Sequence, residues 1–95
     1  MIILSALAEE DMQAAYDDLF FKNPQAALNL IEEIERHLAI LEQFPEAGHK
    51  RWDLTEKPVR FWAIGNYLVV YQVDTLRNVC VVRFLHGFQD IAKLL

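Results

Sequence analysis

Ninety-five residues, 54% of them hydrophobic, with a formal charge of −5 at pH 7, describe a single domain over 1–95 with room for one core. No apolar run nears the roughly 18–20 residues of a membrane span, and so apolar a composition excludes a disordered chain. An acidic whole argues against non-specific nucleic-acid binding, which depends on neutralising phosphates.

Met1 to Ala8 has the small, apolar look of a secretory leader, but it holds no Lys or Arg, and Glu9, Glu10 and Asp11 follow at once. It reads instead as a short strand, Ile2 to Leu4, and then Ser5 as the cap of a helix whose early acids complement its dipole. Ala8, Met12, Ala15 and Leu19, extended by Tyr16, share one face of that helix. Asn23-Pro24 restarts the chain: Asn caps, and Pro at the first helical position lacks only an N–H that would be orphaned anyway. The second helix runs from about Pro24 to Glu42 on a stripe of Ala27, Leu30, Ile31, Ile34, Leu38 and Leu41. Two amphipathic helices with a break near Lys22 form an antiparallel hairpin.

Pro45 and Gly48 end that unit, and residues 45–58 are the long connection. The pattern then changes to strands. Val59 to Ile64, the two-residue turn Gly65-Asn66, and Tyr67 to Val73 make a β-hairpin. Asp74 to Asn78 is a second turn, Val79 to Leu85 a third strand, and Phe88 to Leu95 a short terminal helix after His86-Gly87. The order β-α-α-β-β-β predicts an α+β domain, with the helical hairpin packed on a mainly antiparallel sheet.

A sheet covered on one face should alternate apolar and polar residues. These strands are apolar on both faces: Val69, Tyr71 and Val73 alternate with Leu68 and Val70, and Val79 and Val81 with Cys80, Val82 and Phe84. The helices add apolar residues off their stripes, Phe21 at roughly 150° and Ile40 at roughly 120° from the respective centres. Cover must come from a partner protein, or from the long loop with Trp52 and the C-terminal segment folding over the sheet. Charge is equally uneven. Residues 1–46 hold ten acids against Lys22 and Arg36, a balance of −8, while residues 47–95 hold four acids against seven bases, a balance of +3. The basic half is where an acidic partner segment or RNA would bind. Cys80, the lone cysteine, fits a reducing compartment.

Several segments, in order and spacing, resemble one family along nearly the whole chain. They are Leu4-Ser5, Ala8, Asp11-Met12 and Tyr16; Asn23-Pro24-Gln25-Ala26-Ala27; and Phe44-Pro45-Glu46-Ala47-Gly48. The sheet and tail contribute Arg60, Tyr67, Val70-Tyr71 and Val82-Arg83-Phe84-Leu85-His86-Gly87 with Asp90. Together they resemble the RelE/ParE superfamily of bacterial toxins from type II toxin–antitoxin modules, and more closely its ParE branch. The resemblance implies a cytoplasmic toxin neutralised by a cognate antitoxin, whose C-terminal region folds along the toxin's groove and sheet, with DNA contacted through the antitoxin. It implies DNA gyrase as the target, bound rather than chemically altered, with no cofactor.

The RelE branch implies the alternative, a ribosome-dependent mRNA endonuclease, which needs an acid, a base and cations at the reacting phosphate. Lys50, Arg51, Arg60 and Arg83 are the available cations and His86 the available acid or base; the C-terminal tyrosine typical of that branch has no counterpart after Arg83. If the chain is a nuclease, Arg60, Arg83 and His86 are its catalytic candidates. A third reading is a non-toxic, antitoxin-binding co-repressor. Each residue also has a structural reading: Arg83 pairs with Asp90 or a loop carbonyl, His86 fixes the turn before Gly87, and Arg60 is a solvated cation or a partner's salt-bridge donor. The expected partner-binding set is Phe21, Ile40, Arg60, Trp62, Arg83 and Phe88. His37, His49, His86 and Cys80 lack metal-ligand spacing, so no metal is expected. Ser5 reads as a cap rather than a nucleophile, and three glycines make no phosphate loop.

Overall fold

The structure, a computed structural model that describes residues 1–87 and 89–95, follows the expected order. Strand β1 (Ile2–Leu4) leads into helices α1 (Ala6–Lys22) and α2 (Pro24–Gln43), a single 3₁₀ turn (Pro45–Ala47), β2 (Arg60–Ile64), β3 (Tyr67–Val73), β4 (Val79–His86) and α3 (Ile91–Leu94). The caps are the predicted ones. Ser5 Oγ accepts from the Ala8 amide at 3.0 Å, and Asn23 Oδ1 accepts from Gln25 and Ala26 at 3.1 and 3.3 Å. The terminal helix is shorter than expected, only Ile91–Leu94.

The strands lie in the order β1-β4-β3-β2, antiparallel except for β1 beside β4. The helical hairpin therefore carries the chain from one sheet edge to the other. β1 is short and pairs with Val79 to Val81 alone, so β4 runs on past it with its outer edge open. Side chains and backbone of α1 and its cap fill that gap. The Ser5 amide donates to the Val81 carbonyl at 2.9 Å, Ser5 Oγ donates to the Val82 carbonyl at 2.7 Å, and the Phe84 amide donates to Asp11 at 3.0 Å. Unpaired strand groups are thus satisfied without a fifth strand.

The helical hairpin covers one sheet face. Ala8, Leu30, Leu41, Ile64, Val69, Tyr71, Val79, Val81 and Phe84 form that core, with Met12, Ala15, Leu19 and Leu38 at its margin. The second face carries its own cluster of Val59, Phe61, Val70, Leu85 and Ile91, with Leu54 and Leu95 against it. The connection and the C-terminal segment thus cover part of the apolar strand set that composition left without a destination. Of the two expected sources of cover, the chain's own segments serve Val70 and Leu85, while Leu68, Val73, Cys80 and Val82 stay half-buried. Trp52, expected in this cover, is 60% exposed, with Lys50 Nζ 5.7 Å from its ring centre.

Tyr71 ties the long connection to the helix-covered face. Its hydroxyl, fully buried, donates to the Pro45 carbonyl at 2.7 Å and accepts from the Gly48 amide at 2.8 Å. Burial pushes the phenol above its ordinary value of 10.0. A raised folded value makes this stability complete below about pH 10 and lost as pH rises through it. Urea unfolding between pH 7 and 11 should show an alkaline loss of stability that is shallower in Tyr71→Phe. A slope unchanged by the substitution would contradict this assignment.

Candidate partner-binding surfaces

A groove of about 450 Å³ opens between α1 and α2, with Leu4 of β1 also lining it. Met12 and Tyr16 line one wall, Ile31, Ile34 and Leu38 the other, and Glu9 and Glu35 stand among the lining side chains. Its origin is in the sequence: the α2 stripe is wider than α1 and the sheet can cover, and Ile31 stays exposed. Phe20 stacks on Tyr16 with ring centres 5.9 Å apart and extends this apolar surface towards the hairpin tip. Phe21, at that tip, is 91% exposed, the largest fraction of any large hydrophobic residue described. Ile40 is half-buried, so less of it is free than its off-stripe angle implies.

Two of the basic candidates, Arg83 and Arg60, are committed to the fold, while Lys50 is exposed beside Trp52. Arg83 makes a two-pronged pair with Asp11, Nε at 2.7 Å and Nη2 at 3.0 Å, and Nη1 donates to the Leu94 carbonyl at 3.2 Å. Both side chains of the pair are 17% exposed. The Asp11 hydrogen bond and charge hold the guanidinium proton more tightly than usual, against the cost of burial. The expected pairing of Arg83 with Asp90 is corrected: the open edge of β4 faces α1, while Asp90 lies 3.8 Å from Lys93. The loop-carbonyl alternative is met in part by Leu94, a carbonyl of α3.

Arg60 donates to the Glu46 and Gly48 carbonyls at 3.2 and 2.9 Å. It is half-buried and bound to the 3₁₀ turn, which corrects the solvated-cation reading but not that of a partner's salt-bridge donor, because carbonyls at the end of that turn face it. Arg77 fixes the same turn through a two-pronged pair with Glu46 at 2.8 and 3.1 Å, which lowers the Glu46 pKa. Arg51 pairs with Asp53 at 2.7 Å. His86 sits at the end of β4, edge-on to Tyr67 at 5.2 Å, with its amide donating to Gln89 Oε1 at 2.6 Å. The Gly87 amide donates to the Asn66 carbonyl at 2.7 Å, so this segment is tied to the β2–β3 turn.

Strand register keeps the three catalytic candidates apart. Arg60 lies opposite Tyr71 and His86 opposite Tyr67, on the helix-covered face but four residues apart along β3, roughly 13 Å. Arg83 lies opposite Val70, on the other face. Trp62 is half-buried and its indole donates to His37 Nδ1 at 2.9 Å. Phe88 lies outside the described residues.

Sequence reasoning missed the three side-chain ties: Asp11 to Arg83, Tyr71 to Gly48 and Pro45, and Trp62 to His37. Only the second had a local signal. A tyrosine in the middle of an apolar strand needs a partner for its hydroxyl, and a Pro-to-Gly turn supplies backbone groups close by.

Residues 2–91 match the family described as the ParE toxin of type II toxin-antitoxin systems, parDE. No curated protein matches the chain significantly. Among solved structures, a chain of "Chromosomal ParDE TA system from P. aeruginosa" is similar in fold, with a TM-score of 0.72 and 21% identity over 90% of this chain and 92% of that one. No helix among the described residues is long and apolar enough to cross a membrane. The family match spans nearly the whole sequence, and the chain belongs to the ParE toxins of type II toxin–antitoxin systems.

Proposed function

We propose that this toxin acts by binding DNA gyrase and trapping its cleaved-DNA state, and that a cognate antitoxin neutralises it by occupying the α1–α2 groove. The observation that carries the non-nucleolytic reading is the dispersal of Arg60, Arg83 and His86 over two faces and both ends of the sheet, with both arginines already engaged. A ribonuclease needs its acid, base and cations around one phosphate. For the antitoxin, the groove supports an amphipathic segment whose apolar side meets Ile31, Ile34 and Leu38 and whose basic flanks meet Glu9 and Glu35. The acidic charge of the helical half supports DNA contact through the antitoxin rather than the toxin.

Purified toxin should raise gyrase-dependent double-strand DNA cleavage, leave ribosome-bound mRNA intact, and lose its effect when antitoxin is added. Codon-positioned mRNA cuts with normal gyrase would overturn the proposal in favour of the nuclease. No added gyrase-dependent DNA cleavage and no mRNA cleavage, with antitoxin still bound, would favour the co-repressor. In the groove, Ile31→Glu should weaken antitoxin binding at least about tenfold, because a carboxylate is desolvated against an apolar face. Calorimetric titration measures this, and an unchanged affinity would move the antitoxin off the groove.

A further inference from the structure

We propose that the Trp62–His37 hydrogen bond is a proton-operated latch between β2 and α2, closed on a neutral imidazole and opened by a second proton. An indole N–H can only donate, so the 2.9 Å contact requires a bare, accepting Nδ1 on His37. The neutral ring then carries its proton on Nε2, which lies 3.3 Å from Glu33 Oε2. Arg36 Nη2 is also 3.3 Å from Nε2, but a guanidinium accepts nothing; its partner is Glu33 Oε2 at 2.6 Å. The tautomer of His37 is therefore dictated from both sides. Its side chain is 18% exposed, with the Trp62 ring centre 6.1 Å away.

A second proton would have to sit on Nδ1, where it meets the indole N–H. Two donors facing each other across a hydrogen-bond distance cannot bond, so the indole must leave. On the other side the added charge strengthens the Nε2 contact with Glu33, whose carboxyl Arg36 holds below the usual range and so keeps anionic. The helix-side half of the chain Trp62–His37–Glu33–Arg36 thus survives protonation while the strand-side half breaks. The other charged or titratable groups on this side do not substitute for the lost acceptor. Arg60, on the same face of β2 as Trp62, is a donor already held by the Glu46 and Gly48 carbonyls. Tyr67 of β3, which shares a hollow with Glu33, is kept neutral by burial.

The test follows the Trp62 indole proton and the His37 ring protons by NMR of the full chain between about pH 8 and pH 5, where imidazoles change charge. The expected result is loss of the hydrogen-bonded indole shift along the same curve as the His37 ring, with the far-UV spectrum unchanged. In a Trp52→Phe background, fluorescence then reports Trp62 alone and should show the same midpoint. His37→Gln, whose amide oxygen accepts from the indole and does not titrate, should abolish both transitions. An indole resonance that stays flat while the His37 ring titrates would overturn the latch, as would a transition that persists in His37→Gln. Should that variant not fold, the paired titration of the unsubstituted chain decides alone.

Discussion

Of the three Gly→Ala changes, Gly48→Ala should be the most destabilising. A Cβ at position 48 would stand 2.5 Å from Tyr71 Oη, 2.7 Å from Cε1 and 2.9 Å from Cζ, all closer than side-chain carbons are found. The backbone gives no reason for glycine here, since φ −72° and ψ 158° are extended values open to any residue. The requirement is space alone. Tyr71 is fully buried and held at both ends of its hydroxyl, so it cannot swing aside without losing the Pro45 and Gly48 bonds. Overpacking costs about 1–3 kcal/mol, and stranding buried polar groups costs about 1–3 kcal/mol more. A loss of about 3–5 kcal/mol would lower the midpoint of thermal unfolding by roughly 15–25 °C in a domain of this size. Calorimetry checks it. Tyr71→Phe should cost about 2–3 kcal/mol by leaving the Gly48 N–H and Pro45 C=O unpaired. The two changes should combine less than additively, because the removed hydroxyl is the nearest atom to the new methyl. A drop of only a few degrees for Gly48→Ala would mean that the clamp yields easily.

What the sequence revealed and what it hid divide along the range of the interactions. Local chemistry was legible: Ser5 and Asn23 cap where they should, and the Gly65-Asn66 turn joins Ile64 to Tyr67. Helical angle alone placed Phe21 off its stripe, and it stands almost wholly in solvent. Strand order was not legible, because periodicity describes one strand at a time and carries nothing about its neighbours. The consequence was larger than topology. Without knowing that β1 stops at Leu4 beside Val81, no reading could find the open edge of β4 that Asp11 fills. On sequence alone Arg83 pairs with Asp90, the nearest acid at the tail, or with a loop carbonyl, and not with an acid 72 residues away. The two-faced apolar strands were read correctly as a pattern, and part of their cover comes from this chain's own connection and C-terminal segment. Much of the apolar surface left exposed is on the helices, in the groove and at the hairpin tip, with Trp52 and Leu76 exposed besides.

The Asp11–Arg83 pair gives the second large effect and separates the two readings of Arg83. Asp11 accepts from Arg83 Nε and Nη2 and from the Phe84 amide, so Asp11→Ala strands a largely buried guanidinium and a strand N–H together. Breaking a buried pair costs about 3–5 kcal/mol; with both side chains 17% exposed, some water reaches the stranded charge, and about 2–4 kcal/mol is expected. Arg83→Ala should cost less, because Asp11 keeps the Phe84 amide as a partner. Arg83→Lys should recover only part of that loss, since an ammonium cannot make the two parallel bonds. In a double-mutant cycle the pair should couple by more than about 1 kcal/mol, measured by urea unfolding of the four proteins. An arginine kept for RNA chemistry would behave in the opposite way: Arg83→Ala would abolish mRNA cleavage at unchanged stability, with no coupling to Asp11. The structural role instead predicts that toxicity falls in Arg83→Ala only as far as the folded population falls. Restoring that population by lowering the temperature should restore the toxicity with it.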